Sequence, residues 1–335
     1  MNTPSSVAAV GERALIEMLR RRMPPDPSWV AVGIGDDAAV VAPERNTRDV
    51  LTTDALVEGV HFDRVFTPPD AIGHRALAVN LSDLAAMGAS PRVALFSLVL
   101  PPDLPLDQFV ALVGGFADVA ARYKVALVGG NITRSPGPLV VDVTAVGSVH
   151  PRKILRRGGA RPGDELWVSG QIGAAAAGLA SLRSGAAADA ELALCQAAFL
   201  RPEPRVRLGL LLGRNGAATA CVDLSDGLAD GVHQIAAASG VGAIIDAGAI
   251  PVAPRARSWF LSHGLDPVHA SITGGDDYEL LFAVSPRRRG RLAAVRQGAG
   301  GLGLTRIGVV TQSPAVCLSG LTGHDPLPQG YEHFR

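Results

Sequence analysis

The sequence predicts a two-domain protein of the α+β (α/β) class, with one domain over residues 1–150 and a second over 151–335. Three observations lead there. At about 150 residues per domain, the length suits two. Hydrophobic residues make up 47% of the chain and charged residues 19%, enough apolar side chain for real cores. Strand-like and helix-like patterns are mixed in both halves without strict βαβ alternation. The stretch from His150 to Gly163, rich in Arg, Gly and Pro, separates the halves.

A short amphipathic helix over Glu12–Arg22 comes first, ended by Pro24, Pro25 and Pro27. Trp29–Ile34 reads as a strand running into Gly35-Asp36-Asp37, and Asp49–Thr53 as a second strand that delivers Asp54 at its end. From Ala71 to Met87 apolar residues recur at helical spacing, with Gly88 as a C-cap. Arg92–Leu100 reads as a buried strand and Leu106–Arg122 as a helix. Val125–Val128 reads as a strand ending in a turn at Gly129-Gly130-Asn131, and Leu139–Val149 as another strand. Beyond the boundary, Glu165–Val168 is a strand and Ala-rich helices fill much of Gly173–Gly213. Ala218–Val222 is a strand that breaks into Asp223-Leu224-Ser225-Asp226-Gly227 and a helix, and further β and α segments surround Gly274-Gly275-Asp276-Asp277.

Composition excludes several function classes. With 31 basic and 31 acidic side chains the formal net charge is +0, so no general attraction draws nucleic acid or an anionic membrane. Cys195, Cys221 and Cys317 form no CxxC pair, which speaks against a disulfide framework or a zinc site. The N-terminus lacks the pattern of a signal peptide, and apolar runs such as Val93–Leu100 are too short to span a bilayer. A reducing cytoplasm is the expected compartment. Lysine occurs only at Lys124 and Lys153, and neither follows a glycine, so a Walker A loop is absent. Phosphate charge must then be met by metals and arginines.

The recurring feature is aspartate among small residues where backbone order changes: Asp36 and Asp37, Asp54, Asp223 and Asp226, Asp276 and Asp277. Singly, each is explained by the preference of Asp for turns and helix caps. Asp83 is different, because it interrupts the apolar helix Ala78–Met87 and needs a partner if buried. Several carboxylates that converge would repel one another unless cations stand between them. Magnesium suits such a cluster, since it takes oxygen ligands, keeps waters and bridges carboxylates to nucleotide phosphates. Thr52, Thr53 and Ser225 would add neutral oxygens, and no EF-hand spacing supports calcium.

Phosphate contacts would come from backbone amides, helix N-termini and arginine. Candidates are the glycine turn Gly129–Arg134, and Arg156 and Arg157 before Gly158-Gly159, which a solvated linker explains equally well. His61 would orient a substrate or cap a loop. No GxSxG elbow, HExxH or GxGxxG opening a helix is present, and three Trp and three Tyr are few for a sugar platform. Phosphoryl transfer from ATP, with magnesium, is the strongest reading.

The motifs, in order, are GIGDDAAV, LTTDALVEGVHF, ALAVNLSDLAAMGASP, VGGNITRSPG, LRRGGARPGDELWVSG, VDLSDGLADG, TGGDDYELLF and GYEHF. Together they resemble those of the thiamine-monophosphate kinases, in the aminoimidazole ribonucleotide synthetase superfamily, from Gly33 to Phe334. The resemblance implies ATP-dependent phosphorylation of thiamine monophosphate to thiamine diphosphate. It implies a homodimer formed by pairing of N-terminal sheets, with nucleotide bound between the domains. By position it implies Asp37, Thr52, Thr53, Asp54, Asp83, Asp223 and Asp226 as ligands for several magnesium ions. Gly130, Asn131, Arg157 and Ser225 would contact ATP, and His61, Asp276 and Tyr331 the thiamine phosphate.

Two positions depart from the family pattern. Asn131 stands where aspartate is frequent and brings an oxygen without charge; Asp276 stands where glutamate is frequent and reaches less far. The mechanism expected is direct in-line attack of a substrate phosphate oxygen on the γ-phosphorus. No residue serves as general base, and Asp54, Asp83 and Arg157 act in charge neutralisation. Among superfamily alternatives, selenophosphate synthetase would carry a reactive cysteine in its N-terminal segment and the hydrogenase-maturation relative a cysteine-bearing tail. This chain ends Glu332-His333-Phe334-Arg335 instead, and the GYEHF ending also argues against aminoimidazole ribonucleotide synthetase itself. A non-catalytic nucleotide-binding homologue is the alternative from another class, favoured by Asn131 alone.

Overall fold

A computed structural model describes residues 6–185, 189–320 and 323–330. They fall into two compact units, one of residues 1–84 and 90–150, the other of 85–89 and 151–335. Both combine helices with mixed sheets. Among the described residues no helix is long and apolar enough to cross a membrane.

The first unit opens with α1 (Val7–Val10) and α2 (Glu12–Arg22), and Met23 leaves α2 in extended backbone that the following prolines maintain. β1 (Val30–Val32) pairs antiparallel with β2 (Val40–Val41), so the strand expected over Trp29–Ile34 is shorter than its apolar run. Then come β3 (Arg48–Val57), α3 (Pro69–Ala86), β4 (Ser90–Leu100), α4 (Leu106–Tyr123), β5 (Ala126–Arg134) and β6 (Val140–Val149). The four long strands form a sheet in the order β3-β6-β4-β5, parallel only between β4 and β5. β6 shows the period of two: Val141, Val143 and Ala145 are buried, while Val140, Asp142, Thr144 and Val146 look the other way and are half-buried. Helices cover the buried face. Phe116 of α4 stacks on Phe96 of β4 with ring centroids 4.1 Å apart, and Ile72, Leu77, Leu81 and Leu84 of α3 are fully buried. On the other face, Trp29, Val30 and Ala39 pack against Val93, Ala126 and Val128.

Two expectations are corrected here. Asp54 is not at a strand end, because β3 pairs with β6 without interruption from Arg48↔Val149 to Val57↔Val140. Gly129-Gly130-Asn131 is not a turn, because β5 continues through it in parallel register with β4, Gly130 opposite Phe96 and Asn131 opposite Ser97. The glycine answers to packing rather than to a change of direction: a Cβ on Gly130 would lie 2.0 Å from the Phe96 carbonyl oxygen.

The second unit contains β7 (Glu165–Ser169), α5 (Ala174–Ser184), α6 (Ala190–Leu200), α7 (Val206–Asn215), β8 (Ala220–Asp223), α8 (Leu228–Ser239), β9 (Gly242–Asp246), α9 (Pro254–Ser262) and α10 (Pro267–Thr273). β10 (Leu280–Val284), α11 (Arg289–Gly298), β11 (Leu304–Thr311), β12 (Val316–Gly320) and β13 (Gly323–Pro326) complete it. Its sheet runs β13-β12-β9-β11-β7-β10-β8, with β12 and β9 the parallel pair. The central strands are apolar on both faces, as sheets covered on two sides require, and Val168, Val222, Ile245, Leu281 and Ile307 meet Leu228 and Ile235 of α8 in one core. The Ala-rich helices pack through small side chains, with Ala177, Cys195, Ala256 and Phe260 forming a separate cluster.

Candidate active site

In the first unit β3 and α3 create a polar contact inside an apolar layer. Strand alternation turns Thr52 and Asp54 toward α3, where the Thr52 hydroxyl donates to the Asp83 carboxylate. That is the partner the mid-helix aspartate needed. Asn80, one turn earlier and buried, donates to the Ala76 carbonyl at 3.0 Å. Thr53 points to the opposite face, where its hydroxyl lies 3.1 Å from the Thr144 hydroxyl and 3.3 Å from Asp142 Oδ1. The register puts Asn131 on that same face, in a row with Ser97 and Asp142. The sheet therefore divides the candidates: Thr52, Asp54 and Asp83 on the helix-covered side, the Thr53 and Asn131 side chains on the other. Asp37 lies exposed between β1 and β2, its backbone N–H donating to Asp36 at 2.8 Å.

His61 sits in the turn after β3. Its ring Nδ1 accepts from the Val57 N–H at 3.0 Å, and its own N–H donates to the Val57 carbonyl at 2.9 Å. Phe62 is buried, and Glu58 braces the turn by accepting from Arg64 at 2.6 Å and from the Leu139 N–H at 3.0 Å.

In the second unit β8 delivers a buried Asp223, and the chain turns through Leu224, Ser225 and Asp226 before α8. The Ser225 hydroxyl donates to Asp226 at 3.0 Å. The loop before β10 is stitched to this turn: the Asp276 N–H donates to the Ser225 carbonyl at 2.7 Å and the Tyr278 N–H to the Leu224 carbonyl at 2.9 Å. A Cβ on Gly275 would meet the Ser225 oxygen at 2.4 Å, so only glycine permits this approach. Asp276 and Tyr278 both adopt positive φ, +70° and +49°, a costly conformation for a bulky residue such as tyrosine. The Tyr278 hydroxyl reaches Asp276 Oδ1 at 3.3 Å.

Between them, both oxygens of Asp277 lie 3.0 Å from the Gly173 N–H at the start of α5. Desolvation pushes its carboxyl well above the ordinary carboxylate range; the charges of Glu279 and Asp276 add to the rise, and the Gly173 and Ala175 N–H groups oppose it. Glu279 is buried against Ser169 and paired through both oxygens with Arg205.

Arg157 is exposed, yet its neighbours are anchored: the Arg156 carbonyl accepts from Cys221 at 2.8 Å, and Gly159 and Ala160 donate to Ser239 Oγ at 3.1 Å. That segment is held along β8 and is not a free linker. Gly330 packs against Asp226 and Asp230, while Tyr331 lies outside the described residues. Among the described residues, no three His, Cys, Asp or Glu side chains gather as a preformed metal cage. The expected convergence appears instead as small groups, Thr52 with Asp83 in one unit and Asp223, Ser225, Asp226 and Asp276 around one turn in the other. Sequence reasoning missed Tyr278 and Asp142; period-two alternation in β3 would have separated Thr53 from its neighbours.

Comparison with known proteins decides the family. Residues 35–149 match the N-terminal domain model of AIR synthase related protein, and residues 161–318 its C-terminal domain model. The thiamine-monophosphate kinase of Synechococcus elongatus is 37% identical over 338 aligned positions, covering 98% of both chains. The chain belongs to the thiamine-monophosphate kinase family. The crystal structure of the Stenotrophomonas maltophilia thiamine-monophosphate kinase superposes on this family member with a TM-score of 0.83 at 40% identity, covering 93% of this chain and 97% of that one. The structure described as AaThiL complexed with AMPPCP and TMP gives a TM-score of 0.78 at 31% identity, covering 99% and 100%. The two-domain fold expected from the motifs is thus that of the thiamine-monophosphate kinases.

Proposed function

We propose that this chain transfers the γ-phosphoryl group of ATP to thiamine monophosphate, giving thiamine diphosphate and ADP. One observation carries the reading: similarity over essentially the whole chain to a structure holding AMPPCP, an ATP analogue, together with TMP. A phosphate oxygen of thiamine monophosphate attacks the γ-phosphorus in line, a new P–O bond forms, and the bond to the bridging oxygen breaks as ADP leaves with the electron pair. The attacking oxygen is already anionic near neutral pH, so no residue need act as a strong base. The protein's work is alignment and charge neutralisation.

Ser225, Gly130, Asn131 and Arg157 serve the nucleotide in this reading, and His61, Asp276 and Tyr331 the thiamine phosphate. The backbone bond from Asp276 to the Ser225 carbonyl supports it, since it holds an acceptor-side residue and a nucleotide-side residue at fixed separation.

Magnesium fits the donors present. Asp37, Thr52, Thr53, Asp54, Asp83, Asp223 and Asp226 offer only hard oxygens, and the paired Thr52 and Asp83 with Asp54 on the same strand face form a partial ligand set. With no three-carboxylate cage among the described residues, phosphate oxygens and water would complete each shell, a sharing that magnesium favours. When bound, the ions supply countercharge to the triphosphate and to the charge that develops during transfer.

The outer face of the four-stranded sheet, covered in part by Trp29, Val30 and Ala39, supports a homodimer through the area they leave exposed. Leu51 and Leu95 stand there 68% and 41% exposed, beside half-buried Val140 and Val146. The free cysteines Cys195, Cys221 and Cys317 and the use of ATP suit the cytoplasm.

Coupled ADP release measured with and without thiamine monophosphate, with chromatography of the thiamine product, tests the reaction. Release that depends on thiamine monophosphate and yields thiamine diphosphate is expected. Nucleotide binding without such turnover would mark a non-catalytic homologue and overturn the assignment.

A further inference from the structure

Beyond β13 the chain turns back along α8. Leu327 is buried in the core of the second unit, and its N–H donates to the Val316 carbonyl at 3.0 Å. Pro326 and Pro328 stand on either side of it. Neither has an N–H to give to a strand ladder, and Pro328 biases Leu327 to extended backbone. The segment thus leaves the sheet extended and meets α8 at His233, whose Nε2 lies 3.3 Å from the Leu327 carbonyl oxygen and 3.2 Å from that of Pro328. A carbonyl only accepts, so Nε2 carries its proton here and shares it between the two.

Asp230 lies three residues before His233 and shares its face of the helix. Two residues after Pro328 the chain reaches that point. A Cβ on Gly330 would lie 2.6 Å from Asp230 Cβ and 2.5 Å from the Asp226 carbonyl oxygen, an approach open only to glycine. Asp230 is itself steadied by the Gln234 amide, which donates to its carboxylate. From Leu327 to Gly330 the segment therefore covers α8 from His233 back to the turn that precedes the helix. The chain around β10 fastens that turn at Leu224, whose N–H donates to the Glu279 carbonyl at 2.9 Å, and at Ser225, whose carbonyl accepts from Asp276. Gly330 adds a third contact, at Asp226.

We propose that residues 327–330 form a strap that buttresses the Asp226 turn, and that His233 is a positioning residue acting on the turn through the strap. Asp226 is taken here as a magnesium ligand, as in the function proposed above, so the inference rests on that reading and deepens it. A turn free to move loses conformational freedom when a cation binds, whereas one already held loses less. His233 never meets the ion. Its Nε2–H holds the strap along the helix, and Gly330 passes that restraint to the backbone of Asp226.

Hydrogen–deuterium exchange of the full chain without ligand reads the buttress directly. In His233→Leu the peptide over residues 222–232 is expected to exchange about 3- to 10-fold faster than in the wild type, the worth of one hydrogen bond, with peptides of α4 and β6 unchanged. His233→Gln keeps a donor near the Nε2 position and is expected to restore wild-type exchange; a Gln variant as fast as Leu overturns the donor role. Gly330→Ala leaves His233 in place but sets a methyl against Asp226 and Asp230, and is expected to speed the same peptide. Wild-type exchange in His233→Leu or in Gly330→Ala overturns the strap, as does acceleration spread evenly over the chain, the mark of a general loss of stability. In turnover, His233→Leu is expected to need about 3- to 10-fold more magnesium for half-maximal rate. A lower rate at an unchanged magnesium requirement confines the strap to the fold and overturns the positioning role of His233. Exchange is measured without substrate, so failure of the strap and failure of the assigned reaction are told apart.

Discussion

The Thr52 hydroxyl donates to the Asp83 carboxylate across 31 positions of sequence, joining β3 to the last turns of α3. Asp83 thus meets a hydroxyl brought by β3 inside an otherwise apolar helix. Asp83→Asn is expected to lower turnover by about 10²- to 10³-fold, the scale for one preorganised electrostatic group. Thr52→Val removes only the hydroxyl and should cost about 1.5 kcal/mol of stability, the low end for a bond to a charged acceptor. Steady-state kinetics and urea denaturation check the pair.

Asp54 shares a strand face with Thr52, whereas Asp142 lies on the opposite side beside Thr53. If the carboxylates on the helix-covered face hold the magnesium that does the neutralising, Asp54→Asn should reduce kcat by at least about 10²-fold and raise the magnesium concentration needed for half-maximal rate. Magnesium titrations of wild type and variant measure this. Wild-type turnover by Asp54→Asn at saturating magnesium would refute the proposed neutralisation.

The Tyr278 hydroxyl reaches the Asp276 carboxylate from a strained backbone position. Tyr278→Phe keeps the ring and the packing. It should raise KM for thiamine monophosphate about 3- to 10-fold, the worth of one hydrogen bond, with KM for ATP nearly unchanged. Equal rises in both constants would point to a general loosening of the loop.

Asp277 gives a pH signature. Desolvation raises its carboxyl pKa in the folded chain, so the folded state holds a proton more tightly than the unfolded one. That stabilisation is complete below the ordinary carboxylate range and is lost as pH rises through the elevated folded value. Asp277→Asn has no proton to lose and should flatten this part of the stability curve, gaining on the wild type toward neutral pH. Thermal melts across a pH series compare the two.

Leu51 is the most exposed large hydrophobic side chain of β3. Leu51→Asp should convert a dimer to a monomer in light scattering while each chain keeps its circular-dichroism spectrum. An unchanged mass would locate the dimer contact elsewhere.

Much of this was legible residue by residue. The apolar spacing over Ala71–Met87 gave the helix now seen as α3, and Asp83 stood out because a lone carboxylate in that pattern demands a partner. Which partner was not legible, since Thr52 arrives through sheet topology rather than local sequence. Gly129-Gly130 was misread because glycine usually marks turns; here the demand comes from the Phe96 carbonyl on a neighbouring strand, a tertiary fact. The positive φ of Tyr278 had no local signal, because tyrosine rarely adopts it; the bonds from Tyr278 to Leu224 and from Asp276 to Ser225, which fasten the loop, are tertiary.

β3 is one residue thick, yet its two surfaces do different work. Thr52 and Asp54 face the helix layer, while Leu51 and Thr53 face outward, all within four consecutive residues. A backbone shift that follows the outer surface is inherited by the inner one at once. If partner chains press on Leu51, specific activity becomes a function of protein concentration, and dilution alone would slow the enzyme without any change to its chemistry.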